Sequence, residues 1–147
     1  MIRTAGLEDA EVAARLLYDF NTEFGEPAPE PERLAERVRL LLGEGHNRIL
    51  LAGDPPEGIA VLRFRPALWS FALECYLAEL YVVPPRRGQG IGRALMEAAL
   101  RLARDEGADY MDLGTSEDDT AARGLYESLG FTNRDSGGRM LYYERGL

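Results

Sequence analysis

The sequence predicts a mixed α/β fold, in which one central sheet is flanked by helices. Strand-type and helix-type patterns follow one another along the 147 residues in the order β-α-α-β-β-β-α-β-α-β-β. The longest apolar run, residues 71–83, leads through a glycine-rich turn into an amphipathic helix, as strands and helices do in α/β proteins. The length suits one domain with one hydrophobic core, and we expect a single domain over residues 1–147.

Apolar periodicity assigns the elements of the first half of the chain. Residues 2–5 are strand-like, and residues 7–24 carry apolar side chains at helical spacing. Pro31 suits the first turn of a second helix, which ends at the glycines of residues 43–45. Residues 48–52 and 59–65 then predict two strands joined by a proline- and glycine-rich link.

The second half predicts two further helices, each preceded by a strand. The long run at 71–83 is the expected central strand, and a helix follows from residue 92 to about 106. A strand at 110–114 precedes a helix at 120–129, which Asp118 or Asp119 caps and Gly130 ends. We expect strands at 131–134 and 140–144, joined by a turn at 135–138, to close the sheet.

The composition indicates which partners and which cellular compartment to expect. A formal net charge of −8 argues against nucleic acid as a main partner. The chain begins without a signal-peptide pattern and has no apolar run of membrane-spanning length. Cys75 is the single cysteine, so no intramolecular disulfide forms, and no residues have metal-ligand spacing. We therefore expect a cytoplasmic protein without a membrane segment or a metal.

The most informative stretch is a glycine-rich turn between a strand and a helix. Gly88, Gly90 and Gly92 alternate there, so the backbone can approach a ligand closely. The free N–H groups and the dipole at the start of the helix favour a phosphate. The spacing differs from the G-x-G-x-x-G dinucleotide motif, and a P-loop is excluded because the chain has no lysine.

Two motifs resemble those of the GNAT superfamily of N-acetyltransferases. Residues 87–92, Arg-Gly-Gln-Gly-Ile-Gly, match the family's pyrophosphate loop, [R/Q]-x-x-G-x-[G/A]. Residues 119–131 match N-x-x-A-x-x-L-Y-x-x-x-G-F, except that Asp119 stands in place of asparagine. The resemblance covers essentially the whole chain. It implies the GNAT fold, acetyl-CoA as co-substrate, and direct acetyl transfer to a primary amine in a ternary complex.

The resemblance also implies which residues bind acetyl-CoA. The strand before the loop would pair with the pantetheine arm, and the loop with the pyrophosphate. Tyr126 corresponds to the family's general acid for the departing thiolate, whereas Asp119 is better suited to capping a helix because it cannot donate a hydrogen bond. The implied cofactor-binding residues are Leu80, Tyr81, Val82, Arg87, Gly88, Gln89, Gly90, Ile91, Gly92, Arg93, Asp119 and Tyr126.

The general base is the least defined part of the site. Some members of the family use a glutamate where this chain has Gly114. Glu79 and Glu74 on the central strand are the alternatives, and a regular strand would point them to opposite sides. We favour Glu79, because it lies beside the pantetheine segment. A bulge would change this argument. Asp112 and water are weaker options.

The acceptor is a small-molecule or peptide amine that the sequence does not name. In the family the segment at residues 24–39 covers the acceptor, and homodimers are common. A non-catalytic acyl-CoA-binding module on the same fold is the alternative function. The presence of Tyr126 argues against it, and the missing carboxylate at Gly114 leaves it open.

Overall fold

A computed structural model describes all of residues 1–147 and divides them into two compact units, Met1–Asp112 and Leu113–Leu147. The order of helices and strands is the one that the sequence predicts. The elements are β1 (Ile2–Thr4), α1 (Ala10–Glu23), α2 (Pro31–Gly43), β2 (Asn47–Ala52), β3 (Gly58–Pro66), β4 (Leu73–Val82), α3 (Ile91–Asp105), β5 (Ala108–Leu113), α4 (Thr120–Ser128), β6 (Arg134–Asp135) and β7 (Gly138–Arg139).

The first unit is built on a five-stranded sheet whose strands lie in the order β1-β2-β3-β4-β5. Strands β1 to β4 pair antiparallel with their neighbours. Helix α3 carries the chain from β4 to the neighbouring strand β5, and the resulting sheet is mixed. A short 3₁₀ turn, Leu7–Asp9, precedes α1, where the sequence predicted an uninterrupted helix from residue 7.

Helices cover both faces of this sheet. Ile49, Leu51 and Val61 belong to one buried cluster with apolar residues of α1 and α2. We call this side of the sheet the α1 face. Ala52, the strand neighbour of Leu51, points to the opposite side, where α3 packs. A Cβ built on Gly58 would lie 3.4 Å from the Ala52 side chain and 3.1 Å from the Leu95 side chain of α3.

A β-bulge interrupts β4 beside β3. Val61 pairs with Glu79, but its neighbour Leu62 pairs with Leu77, so Ala78 is an extra residue in β4. Directly paired residues share a face. Glu79 therefore lies on the α1 face with Val61. Beyond the bulge, Tyr76 pairs with Arg63 and Glu74 with Arg65, on the same face because Val61, Arg63 and Arg65 alternate along β3.

The bulge corrects the expectation for the two glutamates. A regular strand would have placed Glu74 and Glu79 on opposite faces, since five residues separate them. The extra residue, Ala78, restores the same parity and puts both on the α1 face.

The second unit contains α4 and a short hairpin. Strands β6 and β7 pair around Ser136 and Gly137, whose φ angles of 50° and 88° are those of a type I′ turn. The turn at 135–138 is confirmed. The strand predicted at 131–134 overlaps β6 only at Arg134, and no strand forms at 140–144. The two observed strands form a two-stranded sheet of their own instead of closing the large one. One further hydrogen bond joins the two arms beyond these strands, from the Met140 N–H to the Asn133 carbonyl at 2.6 Å.

Candidate active site

The glycine-rich turn forms an open cradle before α3. Gly88 and Gly90 have φ angles of 76° and 85°, which glycine adopts without strain. A Cβ at either position would meet no atom within 4 Å, so the space above the loop is free. Helical hydrogen bonding begins at Ala94, whose N–H donates to the Gly90 carbonyl at 3.0 Å. The N–H groups before it lack helical acceptors, which is the geometry of an anion site.

The side chains of the loop are held by the protein itself. Arg86 pairs with Glu57 at 3.1 Å, and the Gln89 amide donates to the Pro85 carbonyl at 3.4 Å. Ile91 and Gly92 are half-buried in the first turn of α3, and Arg93 is exposed. The loop therefore offers its ligand backbone N–H groups more than side chains.

Arg87 connects the loop to α1 and β4. Its guanidinium donates to both Glu23 carboxylate oxygens, at 2.8 and 2.9 Å, and to the Val82 carbonyl at 2.9 Å. The Tyr81 hydroxyl donates to Glu23 at 3.2 Å, and the Arg87 guanidinium lies 5.5 Å from the Tyr81 ring centre. These contacts hold the pKa of Glu23 below its usual value, with Arg87 as the main cause. Arg87 thus fixes the position of the loop.

The burial of side chains alternates along Leu80–Val82, the strand segment expected to meet the pantetheine arm. Tyr81 is buried on the α1 face, stacked on Phe20 with ring centres 4.9 Å apart. Burial, followed by the Glu23 contact, raises the pKa of the Tyr81 hydroxyl. Leu80 and Val82 are half-buried on either side of it.

Glu79 is the candidate base whose pKa is shifted by its surroundings. Burial raises the pKa of its carboxyl, and the nearby Arg63 charge offsets part of this effect. The structure gives Glu79 no hydrogen bond or salt bridge that would hold it as a structural carboxylate. A desolvated carboxylate of this kind is a better proton acceptor than one in water.

The other two candidates differ from Glu79. The Glu74 carboxylate accepts a hydrogen bond from Arg65 at 2.7 Å, so its negative charge is balanced by this ion pair. Asp112 lies near the end of β5, and its Oδ1 atom is buried without a hydrogen-bond partner. Cys75, also in β4, is fully buried, and burial raises the pKa of its thiol to about 12, so it is a core residue.

In the second unit, Tyr126 and Asp119 lie at opposite ends of α4. The Asp119 carboxylate accepts from the Ala122 N–H at 3.0 Å, which confirms the predicted cap. Tyr126 is buried edge-on against Phe131, with ring centres 6.0 Å apart. Burial, and then the Asp119 charge, raise the pKa of the Tyr126 hydroxyl to about 12. The phenol therefore stays protonated throughout the physiological pH range.

Sequence reasoning missed two features of the first unit. Glu23 lies 64 residues before Arg87, and no local pattern links the two residues. Arg63 stands among the alternating residues of β3, where a charge between buried neighbours was a visible signal. The structure also shows no helix with the length and apolar character needed to cross a membrane, and no cluster of metal-ligating side chains.

Comparison with known proteins identifies the family of the chain. The family model described as the Acetyltransferase (GNAT) family matches residues 13–131. The chain belongs to this acetyltransferase family.

Three relatives illustrate the range of similarity. An uncharacterized N-acetyltransferase, YhfO of Bacillus subtilis, is 30% identical over 132 residues, or 88% of each chain. A mycothiol acetyltransferase of Beutenbergia cavernae is 36% identical over 89% of this chain, which spans only 44% of that protein's length. A crystal structure of a provisionally assigned acetyltransferase from Arthrobacter sp. FB24 superposes with a TM-score of 0.93 and 45% identity, covering 100% of this chain and 96% of the other.

The left-handed conformation at Gly90 leads to a first prediction. Gly90→Ala forces a Cβ into a φ of 85°, so we expect the free energy of unfolding to fall by roughly 1–2 kcal/mol. Gly43→Ala, at the end of α2, has open space and no positive φ, and should cost nothing. Urea denaturation of both variants measures the difference. Equal stability of the two variants would contradict the strained loop geometry.

Proposed function

We propose that the protein is an acetyl-CoA-dependent N-acetyltransferase that moves the acetyl group directly to a primary amine. The observation that carries the proposal is the loop at residues 88–92, with two left-handed glycines and free N–H groups at the start of a 15-residue helix. Such a loop suits a pyrophosphate, because backbone donors and the helix dipole act together on the negative charge. Membership of the GNAT acetyltransferase family supports an acyl-CoA as the ligand.

Glu79 is our proposed base. An amine attacks only in its neutral form, and its usual pKa is about 10. Desolvation raises the pKa of Glu79 toward that of its partner, which improves proton transfer. A bond forms between the amine nitrogen and the acetyl carbon, the carbon–sulfur bond breaks with its electron pair on sulfur, and the amine proton passes to Glu79.

Tyr126 is our proposed partner of the departing thiolate. Its phenol is protonated at every working pH because its pKa is raised to about 12. A neutral donor can approach sulfur without an opposing charge, and a hydrogen bond to the developing thiolate favours the transition state. Backbone N–H groups of the segment Leu80–Val82 are the proposed donors to the thioester oxygen.

Ligand-dependent stability tests the cofactor. Acetyl-CoA at about 100 times its dissociation constant should add roughly 2.7 kcal/mol, a shift of several degrees in the melting temperature. NAD should give none, because the glycine spacing differs from the dinucleotide motif. Thermal melts with acetyl-CoA, coenzyme A and NAD in parallel measure this. A shift with NAD alone would contradict our proposal and indicate that the loop binds a dinucleotide.

Tyr126→Phe separates an enzyme from a binding module. We expect kcat to fall by roughly 10²-fold or more, the range for a lost acid–base or transition-state donor, with acetyl-CoA affinity unchanged. Tyr18→Phe on α1 is the matched control and should behave as wild type. Thiol release measures the rate. If a competent acceptor is turned over equally by both variants, Tyr126 has no role at the leaving group.

Glu79→Gln tests the base through the pH profile. The base acts when deprotonated, so kcat/KM should rise with pH through a pKa that lies above the ordinary glutamate value. The variant should lose roughly 10²-fold or more in rate, together with that rise. Glu97→Gln, exposed on α3, is the control. An unchanged profile in Glu79→Gln would assign the proton to water.

A further inference from the structure

A polar cavity opens on the first unit, next to the proposed base. Its volume is about 220 Å³, and both charge signs are represented in its walls. The polar side chains that line it are Arg63, Arg65, Glu74, Tyr76 and Asp112. Convergence of polar groups in one cavity is a feature of sites that orient a small ligand.

Because of the bulge in β4, Glu79 lies on the same face of the sheet as Arg63, which lines the cavity. Glu79 pairs with Val61, and Arg63 is the next residue of β3 on the α1 face. Residues two apart in a strand are separated by about 6.5–7 Å along the backbone, so Arg63, which lines the cavity, is one same-face position from the residue that pairs with Glu79. The effect of the Arg63 charge on the pKa of Glu79 agrees with this spacing.

Two lining groups lack hydrogen-bond partners, one of them a donor and the other an acceptor. Arg65 and Glu74 satisfy each other at 2.7 Å. The Arg63 guanidinium has no hydrogen bond or salt bridge, so it can receive an anion. Asp112 Oδ1 is buried with no donor, an unfavourable state that a hydrogen-bond donor on a ligand would relieve.

We propose that this cavity is the acceptor site and that the acceptor is a free amino acid. Its reacting amine lies at Glu79, its carboxylate is bound by Arg63, and its side chain presents a hydrogen-bond donor to Asp112. The inference rests on the proposed acetyl transfer and specifies its substrate class.

The same groups disfavour other amines. A polyamine would set a cation against Arg63 and leave that guanidinium without an anion. An amine with a wholly apolar tail would leave Asp112 Oδ1 unpartnered. Only an acceptor with an amine, an anion and a further donor satisfies Glu79, Arg63 and Asp112 together.

Matched acceptors test the proposal. Lysine, glutamine, serine and arginine are compared with their carboxamides, and lysine also with norleucine and cadaverine, by acetyl-CoA-dependent thiol release. A charge-assisted hydrogen bond is worth about 1.5–3 kcal/mol, so at least one free acid should exceed its amide roughly 10- to 150-fold in kcat/KM. Lysine serves as the probe where it is accepted, and otherwise the best of these acids.

Two variants assign the preference to residues. Arg63→Gln should remove the preference, so that the ratio of kcat/KM for the acid to kcat/KM for its amide falls to about one. The ratio is the readout because the Arg63 charge also acts on Glu79 and its loss affects both acceptors alike, whereas a structural defect would lower both rates and keep the ratio. Asp112→Asn should reduce the discrimination by side chain and keep the acid-over-amide preference. Arg101→Gln on α3 and Asp109→Asn, exposed on β5 three residues before Asp112, are the controls. Each variant is first checked for stabilisation by acetyl-CoA.

The outcomes distinguish the two proposals. Absence of acetyl-CoA stabilisation in the wild type would remove the proposed function itself. Stabilisation by acetyl-CoA with equal use of acids and amides, or with no amino acid accepted, would overturn the acceptor proposal alone. A preference for acids that survives in Arg63→Gln would also overturn it.

Discussion

One extra residue in β4 determines which side chains can act together in the first unit. The bulge at Ala78 shifts the pairing between Val61 and Leu62, so Glu79 and the Tyr76–Arg63 row share the α1 face. Without it, every side chain on one part of β4 would change sides, because strand side chains alternate with a period of two residues. The local disruption of the ladder at the bulge is the cost of this arrangement.

The glycine loop depends on a contact far away in sequence. A chain with a net charge of −8 must still attract a polyanion if it binds a CoA ester. The nearby arginines Arg86 and Arg87 are engaged with Glu57 and Glu23, so they lend the loop little unneutralised charge. The attraction then comes from backbone N–H groups and the α3 dipole. Arg87 contributes by anchoring the loop to Val82 and to the end of α1, where the next loop begins.

The order of elements and the glycine loop could be predicted, because both depend on local pattern and turn chemistry. Asp119 as a cap was also predictable, since it needs only its own helix. The position of the bulge was not, because the register between β3 and β4 is set only when the two strands pair. The same limit applies to Glu23, whose contact with Arg87 is formed by folding. It also applies to the final hairpin, where the predicted turn was correct but the positions of the strands were not.

The pKa values of both titrating groups in the proposed mechanism are raised, and this gives the two groups different roles. Burial raises the pKa of Tyr126 to about 12, whereas an ordinary thiol has a pKa of about 8.5. At about 1.4 kcal/mol per unit, complete proton transfer from this phenol to a free thiolate is uphill by about 5 kcal/mol. Tyr126 is therefore better suited to donating a hydrogen bond to developing charge than to losing its proton. The proton that must move is the one on the amine, and the raised pKa of Glu79 makes that transfer easier. In the proposed mechanism, acetyl transfer therefore depends on removal of the amine proton, and the thiolate is stabilised by a hydrogen bond as it forms.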